Sequence, residues 1–208
     1  MRDALFMGRL TASATHEMQN ILATIRESSG LMDDLLAMGG ENFAHAERFK
    51  KGLAVLAEQV ERGMLLTEQL NFCAHAPEKS PAGADVNEAV RALVGLSRRP
   101  AARRKITLAL TPGRSGLRTS LRAVEVMDAV GAALEAALEL TPAGSQVLLS
   151  VEEQGGLAVV RLDSPAFEAL RGSPAWAELT ALAKARGIGL SAGPGGLGLL
   201  LALPRPVA

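Results

Sequence analysis

Apolar and small residues recur along the first part of the chain at alternating steps of four and three residues. This spacing is typical of a helix packed in a bundle, and it predicts one helix over residues 3–37. The members of the repeat are Ala14, Met18, Ile21, Ile25, Ser28, Met32 and Leu35. A neighbouring row of Leu22, Ser29 and Leu36 widens the stripe to the face expected in a four-helix bundle.

A second run with the same spacing follows a predicted turn at residues 38–42, where two glycines end the first helix. The run predicts a second helix over about residues 43–75. Its stripe consists of Phe49, Leu53, Leu56, Val60, Gly63, Thr67 and Leu70. Two helices that are each about 50 Å long cannot bury both stripes as a single hairpin. We therefore expect two copies of the chain to pair their hairpins in a homodimeric four-helix bundle.

The pattern changes after a proline- and glycine-containing linker at residues 78–84. Helical and strand patterns then alternate, which indicates an α+β sandwich with helices on one face of a sheet. We predict helices over residues 86–104, 122–140 and 174–186, the first interrupted or ended near Pro100, and strands over residues 106–110, 146–152, 157–163, 188–191 and 197–203. The sequence thus predicts two domains, residues 1–77 and 85–208.

Composition narrows the possible partners and compartments. The 208 residues are 48% hydrophobic, and 22 basic residues balance 22 acidic residues. This balance argues against binding to nucleic acid or to a strongly anionic membrane surface. The one cysteine, Cys73, excludes an internal disulfide and fits a reducing compartment. No apolar run approaches the length of a membrane span and the first residues lack the apolar core of a signal peptide, so we expect a cytoplasmic protein.

The candidate chemistry lies in the first helix, at His16. With Ala14 at heptad position d, His16 falls at position f and points away from the bundle seam. A neutral imidazole nitrogen is a competent nucleophile at physiological pH. Glu17 is adjacent and Asn20 lies one turn further on, so both can stand near the same patch of helix surface. A zinc motif of the form His-Glu-x-x-His is excluded, because position 20 is Asn. An exposed histidine without a role remains the alternative.

Residues 8–36 resemble the phosphoacceptor helix of two-component sensor histidine kinases, in which His-Glu is followed by Asn or Thr three residues after the Glu. The resemblance implies that His16 is the phosphorylated residue and that Glu17 is its acid/base neighbour. It also implies that Asn20 positions a water molecule for dephosphorylation of a partner.

The second domain resembles the ATP-binding domain of the same kinases, the Bergerat fold, in a degenerate form. Two family asparagines that hold magnesium and phosphates correspond to Ala132 and Ala136, whose methyl groups cannot coordinate a hard cation. The family's Asp-x-Gly-x-Gly, whose Asp reads adenine, retains Asp163 but loses both glycines. Only residues 164–173 stand where the family has a long lid. The glycine-rich run at 193–198 is predicted to be a hairpin turn rather than a phosphate loop.

We therefore expect no ATP-dependent kinase activity of the chain alone and no cofactor of its own. The whole resembles bacterial histidine phosphotransferases, which implies a response-regulator receiver domain as partner. The receiver would supply the phospho-aspartate and the Mg²⁺, and His16 would accept the phosphoryl group and pass it on. The alternatives are a divergent ATP-dependent kinase and a non-catalytic dimeric scaffold, or a phosphatase for a receiver that relies on Asn20.

Overall fold

The chain contains two compact units in the computed structural model, which describes residues 2–38, 46–78, 83–193 and 198–206. One unit is Gly8–Asn71, and the other combines Met1–Met7 with Phe72–Ala208. Residues 72–77, which the sequence analysis assigned to the helical domain, belong to the second unit. Residues 79–82 of the predicted linker lie outside the described residues.

The helical unit is built from two long helices. Helix α1 spans Arg2–Met38 and helix α2 spans Ala46–His75, which confirms both predicted helices. The predicted turn after Met38 and the first residues predicted for α2 lie outside the described part of the chain.

The two helices face each other along a line that differs from the predicted stripe of α2. The buried α2 residues in this unit are Gly52, Gln59 and Leu66, whereas Leu53 and Val60 of the predicted stripe are exposed. Each buried residue immediately precedes a predicted stripe position, so the flank of the stripe makes the hairpin contact. The exposure of Leu53 and Val60 in a single chain leaves the predicted bundle stripe untested, because a four-helix stripe is shared between the hairpin partner and the helices of a second copy.

Close packing marks the hairpin contact. Met32 of α1 lies over Gly52, where an added Cβ atom would come within 3.0 Å of the Met32 Cγ atom. Ile21 lies over Gly63, where an added Cβ atom would be 3.7 Å from the Ile21 Cγ2 atom. The small residues of α2 therefore allow the larger side chains of α1 to approach its backbone.

In its described residues, the second unit contains a five-stranded mixed sheet, four helices from α3 to α6 and a short two-stranded pair. In chain order the elements are β1 (Ala84–Asp85), α3 (Val86–Arg103), β2 (Thr107–Thr111), β3 (Arg118–Thr119), α4 (Ala123–Leu140), β4 (Gln146–Gln154), β5 (Leu157–Asp163), α5 (Phe167–Arg171), α6 (Pro174–Ala185), β6 (Gly189–Ala192) and β7 (Leu199–Ala202). The main sheet has the order β2-β4-β5-β7-β6, and β1 pairs with β3. Strands β2 and β4 are parallel, and the other neighbours in the main sheet are antiparallel. This arrangement confirms the α-helical region followed by a mixed α and β region.

Alternation along the strands separates a core face from an outer face. Val147, Leu149 and Val151 of β4 are buried, as are Val160 and Leu162 of β5. The intervening residues face the other side of the sheet. The Leu149–Leu162 pair thus lies in the core, while Ser150 pairs with Arg161 on the outer face.

Helix α3 continues through Pro100 to Arg103, so the predicted interruption near Pro100 was wrong. Pro100 lies in the last turn of α3, so its missing N–H removes a hydrogen bond only near the end of the helix. Ala101 is fully buried, and its carbonyl accepts a hydrogen bond from the Arg104 N–H at 3.0 Å. Burial and this terminal bond keep the last turn helical.

The predicted hairpin turn between β4 and β5 is confirmed. Gly155 and Gly156 have φ angles of +58° and +74°, and Gln154 pairs with Leu157 across them. Two consecutive positive φ angles belong to the turn type that matches the twist of a tight hairpin. Strands β6 and β7 also form an antiparallel pair, although residues 194–197 at its tip lie outside the described residues.

Candidate functional site

His16 is exposed on α1, in agreement with its predicted outward position. The helix around it is regular, and the Thr15 Oγ1 atom donates hydrogen bonds to the carbonyls of Thr11 and Ala12 at 3.0 and 3.1 Å. A helical backbone gives the imidazole a defined direction. The ring is therefore open to an electrophile that a second molecule brings to the helix surface.

Glu17 lies inside the hairpin rather than on the surface patch expected from the sequence. It is 9% exposed, and its Oε1 atom accepts a hydrogen bond from the Nη2 atom of Arg62 on α2. The two side chains form an ion pair across the hairpin. Glu17 is adjacent to His16, but consecutive helical residues differ by about 100° in direction, and this turns Glu17 towards α2.

Asn20 is half-buried, one turn after His16. The backbone carbonyl of Asn20 accepts a hydrogen bond from the Thr24 Oγ1 atom at 3.0 Å. The structure thus places His16 and Asn20 within one turn of helix with at least part of each side chain accessible. It separates them from the Glu17 carboxylate, which is held towards α2.

Arg62 contacts Glu17, although the heptad pattern did not predict a role for it. Its position is three residues after Gln59 and four before Leu66, both of which are buried against α1. That spacing places Arg62 beside the contact face of α2. The signal was therefore present in the spacing, but the predicted stripe was centred one residue away.

The structure also places Ala132, Ala136 and Asp163, the three residues that the sequence resemblance matched to nucleotide-binding positions. Ala132 and Ala136 lie on α4 and present methyl groups. Both carboxylate oxygens of Asp163 accept hydrogen bonds from the Arg161 Nε atom at 2.9 Å. A Cβ atom at Gly198, whose φ is +74°, would overlap the Asp163 Oδ1 atom. Asp163 is thus paired with Arg161 of its own strand, and its side chain remains 33% exposed.

The segment between β5 and α6 is packed rather than extended. It contains the short helix α5, which was not predicted, and Phe167 and Leu170 of this helix are buried. The Phe167 ring meets the Trp176 ring edge-on, with centroids 6.0 Å apart. At its start, the Ser164 hydroxyl lies 2.8 Å from the Thr141 hydroxyl at the end of α4. These contacts join the segment to the core of the second unit.

The described residues do not favour a metal site or a reactive thiol. Within residues 2–38, 46–78, 83–193 and 198–206, no group of three or more His, Cys, Asp and Glu side chains is placed to hold a metal ion. Cys73 is buried, and burial raises the pKa of its thiol to about 11. Its reactive thiolate form is therefore scarce at neutral pH. None of the helices in the described chain is long and apolar enough to cross a membrane.

No protein-family model and no curated protein sequence matches the chain. Among solved structures, one described as a bacterial phosphotransferase is similar over 96% of this chain and 96% of its own, with 16% identity and a TM-score of 0.50. A histidine kinase from Burkholderia phymatum covers 95% of this chain and 98% of its own at 17% identity and a TM-score of 0.47. The Acinetobacter baumannii histidine kinase AdeS covers 92% and 98% at 13% identity and a TM-score of 0.48. The likeness to the phosphotransferase structure establishes that the chain shares the fold of that protein over nearly the full length of both.

Proposed function

We propose that the protein is a dimeric, cytoplasmic histidine phosphotransferase of a two-component phosphorelay. It accepts a phosphoryl group on His16 from the aspartate of a receiver domain and passes the group to another receiver. The observation that carries this proposal is the exposed imidazole on a helical hairpin, in a chain with the fold of a bacterial phosphotransferase. The balanced charge supports a protein partner rather than nucleic acid or membrane.

The transfer is an in-line displacement at phosphorus. An unprotonated imidazole nitrogen of His16 attacks the phosphorus atom of the receiver's aspartyl phosphate. The N–P bond forms while the bond between phosphorus and the aspartate oxygen breaks, and the aspartate carboxylate leaves with the electron pair. The ring then gives up the proton on its other nitrogen. The receiver's own Mg²⁺ neutralises charge on the phosphoryl oxygens, so this chain needs no metal of its own.

The proposal assigns a role in phosphoryl transfer to three side chains of α1. His16 is the nucleophile, Glu17 orients the ring or takes up its proton, and Asn20 contacts the phosphoryl oxygens or positions a water molecule. The accessibility of His16 and Asn20 supports their direct roles. Glu17 is adjacent to His16 in the helix, but its carboxylate is hydrogen-bonded to Arg62 on α2. In this proposal, Glu17 therefore reaches the His16 ring from its position between the two helices.

The second unit acts as a folded platform without kinase activity. Support comes from the methyl groups at Ala132 and Ala136 and from the hydrogen bonds that occupy Asp163. Stabilisation of a γ-phosphoryl transition state needs cationic or metal-bound oxygens in fixed places. Calorimetry with Mg-ATP is expected to give no measurable heat of binding, and a clear affinity would favour a divergent kinase instead.

The test is transfer from a radiolabelled phospho-receiver to the purified protein. The wild-type chain should acquire an acid-labile, alkali-stable label, as expected of phosphohistidine, and His16→Ala should acquire none. His75→Ala is the matched control, because His75 is exposed on α2 and its ring is hydrogen-bonded to Glu78 at 2.8 Å. Label that persists in His16→Ala would contradict the proposal.

A receiver phosphatase is the second candidate, and the partial exposure of Asn20 favours it. In that case the receiver loses phosphate without label on this chain. Loss of this activity in Asn20→Ala, with full activity in His16→Ala, would select the phosphatase over the phosphotransferase.

A further inference from the structure

The Arg62–Glu17 ion pair joins the two helices of the hairpin directly beside the phosphoacceptor residue. We propose that Arg62 is a positioning residue for His16: it draws Glu17 into the hairpin, fixes the turn of α1 that presents His16, and compensates the charge of the neighbouring carboxylate. This inference rests on the proposed function for its catalytic consequence. The structural part concerns only α1 and α2.

The geometry supports a role in orientation. Glu17 follows His16 by one residue, so any rotation of α1 about its axis moves both side chains together. Glu17 is 9% exposed, and its bond to Arg62 ties that rotation to α2. Ile21, one turn further on, is also buried. Arg62 adds a directional, charged contact to the hairpin interface, and such a contact selects one rotation where apolar contacts tolerate several.

The charge of Arg62 also matters for the imidazole. A carboxylate without a cation at this depth is costly, and release would carry Glu17 to the surface beside His16. A free carboxylate there favours the protonated imidazolium, which has no lone pair for attack. On α2, Glu58 lies one turn before Arg62 and Glu61 is adjacent to it, and both are exposed. Arg62 thus places a cation next to the Glu17 carboxylate between the two helices.

The experiment compares Arg62→Gln, Arg62→Lys and the double variant Glu17→Gln with Arg62→Gln. Arg48→Gln is the matched control, since Arg48 is an exposed arginine on the same helix. The first readout is the NMR titration of the His16 ring, which needs no phosphotransfer. In Arg62→Gln its midpoint should move to higher pH by about half a unit, because the released carboxylate approaches the ring. Arg62→Lys, the double variant and Arg48→Gln should leave the midpoint near that of the wild type.

The second readout is the rate of transfer from the phospho-receiver at pH 7. Arg62→Gln should reduce the rate by about tenfold through lost orientation and a more protonated ring, and Arg62→Lys should restore most of it. If Arg62→Gln changes only the thermal midpoint of unfolding and leaves both the His16 titration and the rate per folded molecule unchanged, the proposal is wrong. Should Arg62→Gln unfold, Arg62→Lys carries the comparison of rates, and the double variant is used only for the His16 titration because Glu17 has its own role in the proposed transfer.

Failure of the proposed function has a different signature. If the wild-type protein takes up no label from any phospho-receiver, phosphotransfer is excluded, whereas the His16 titration still tests the placement of Glu17 by Arg62. If the wild type is labelled and the Arg62 variants behave like it in both readouts, phosphotransfer is supported and the positioning role of Arg62 is excluded.

Discussion

At the scale of single residues, two buried carboxylates each lie against an arginine of another helix. Glu17 pairs with Arg62 in the helical unit, and Asp128 of α4 pairs with Arg186 at the end of α6 in the second unit. The Asp128 side chain is 1% exposed and lies 2.7 Å from the Arg186 Nη2 atom. Buried charges of this kind are stable only as pairs. Each pair therefore favours one packing of the two segments, in which the two charged side chains lie at the same level.

Removal of one partner from the second pair should be strongly destabilising. Asp128→Ala leaves the Arg186 guanidinium buried without its carboxylate, and we expect a loss of about 3–5 kcal/mol in the free energy of unfolding. Urea unfolding followed by circular dichroism measures it. The control is Glu47→Ala, which removes an exposed ion pair with Lys50 and should cause no measurable loss. Equal effects of the two variants would contradict this account of Asp128.

Glu125 gives a pH-dependent prediction at the same scale. Burial by itself raises the pKa of Glu125, but hydrogen bonds from the Arg122 backbone and side chain, with the charges of Arg122 and Arg186, lower the pKa overall. The Arg122 N–H donates to the Glu125 Oε2 atom at 2.9 Å in the first turn of α4. A lowered folded-state pKa adds stability above the unfolded pKa of about 4.3, and this stability is lost as pH falls through the folded value.

Glu125→Gln should therefore unfold at a lower temperature than the wild type at pH 7. The difference should shrink as the pH falls below about 4, where the wild-type carboxyl becomes protonated. Thermal melts across the pH range measure this convergence. Glu139→Gln, near the other end of α4, is the control and should show no such trend. A constant difference at all pH values would indicate lost packing rather than lost charge.

At the scale of elements, the same substitution is expected to have opposite effects in two helices. Gly30 in α1 has no neighbour within 4 Å of an added Cβ atom. Gly30→Ala should therefore raise the stability of α1 by about 1 kcal/mol, the difference in helix propensity between the two residues. Gly131 in α4 is different, because an added Cβ atom would lie 3.1 Å from the Phe6 ring and 3.4 Å from Leu93.

Gly131→Ala should lower the thermal midpoint, since Phe6 and Leu93 are both buried and leave no room for the methyl group. Addition of Phe6→Leu in the same chain should recover part of the loss, because the smaller side chain makes space. Differential scanning calorimetry of the four chains tests the pair. Stabilisation by Gly131→Ala would show that the Phe6 ring moves aside at little cost.

At the scale of the whole molecule, the helical unit exposes an apolar groove that a second copy of the chain can cover. Its α1 side is formed by Met18, Leu22 and Ile25, and its α2 side includes Val60 and Met64. Leu22 and Val60 are 58% and 51% exposed. Leucine and valine side chains in one continuous groove indicate an interface. These residues lie on the side predicted to face the bundle partner.

Val60→Glu should therefore convert the proposed dimer into a monomer, because it places a charge in an apolar interface. Leu65→Glu is the matched control. Leu65 is 47% exposed on the same helix but does not line the groove, so its replacement should leave the dimer intact. Light scattering after size-exclusion chromatography measures the mass. A wild-type monomer, or dissociation by Leu65→Glu alone, would contradict the proposed arrangement.

The sequence by itself determined the long helices, the five strands of the main sheet and the exposure of the candidate nucleophile, but it did not predict the short elements β1, β3 and α5. Heptad spacing predicted α1, α2 and the outward direction of His16, and the Gly155–Gly156 pair predicted the hairpin turn. These features are local, because each depends on the period of burial along one element or on the conformational freedom of adjacent residues. The spacing of hydrophobic residues and the glycine pair were therefore sufficient to predict these features.

Only the tertiary structure decided which groups meet across elements. It placed Glu17 against Arg62, paired Asp163 with Arg161, and centred the hairpin contact within one chain on Gly52, Gln59 and Leu66. Burial of Ala101 likewise carried α3 past Pro100. A periodic pattern states that a face is buried but not which residue lies opposite. Pairing depends on the rotation and height of two packed elements, and those are set by contacts between residues far apart in the chain.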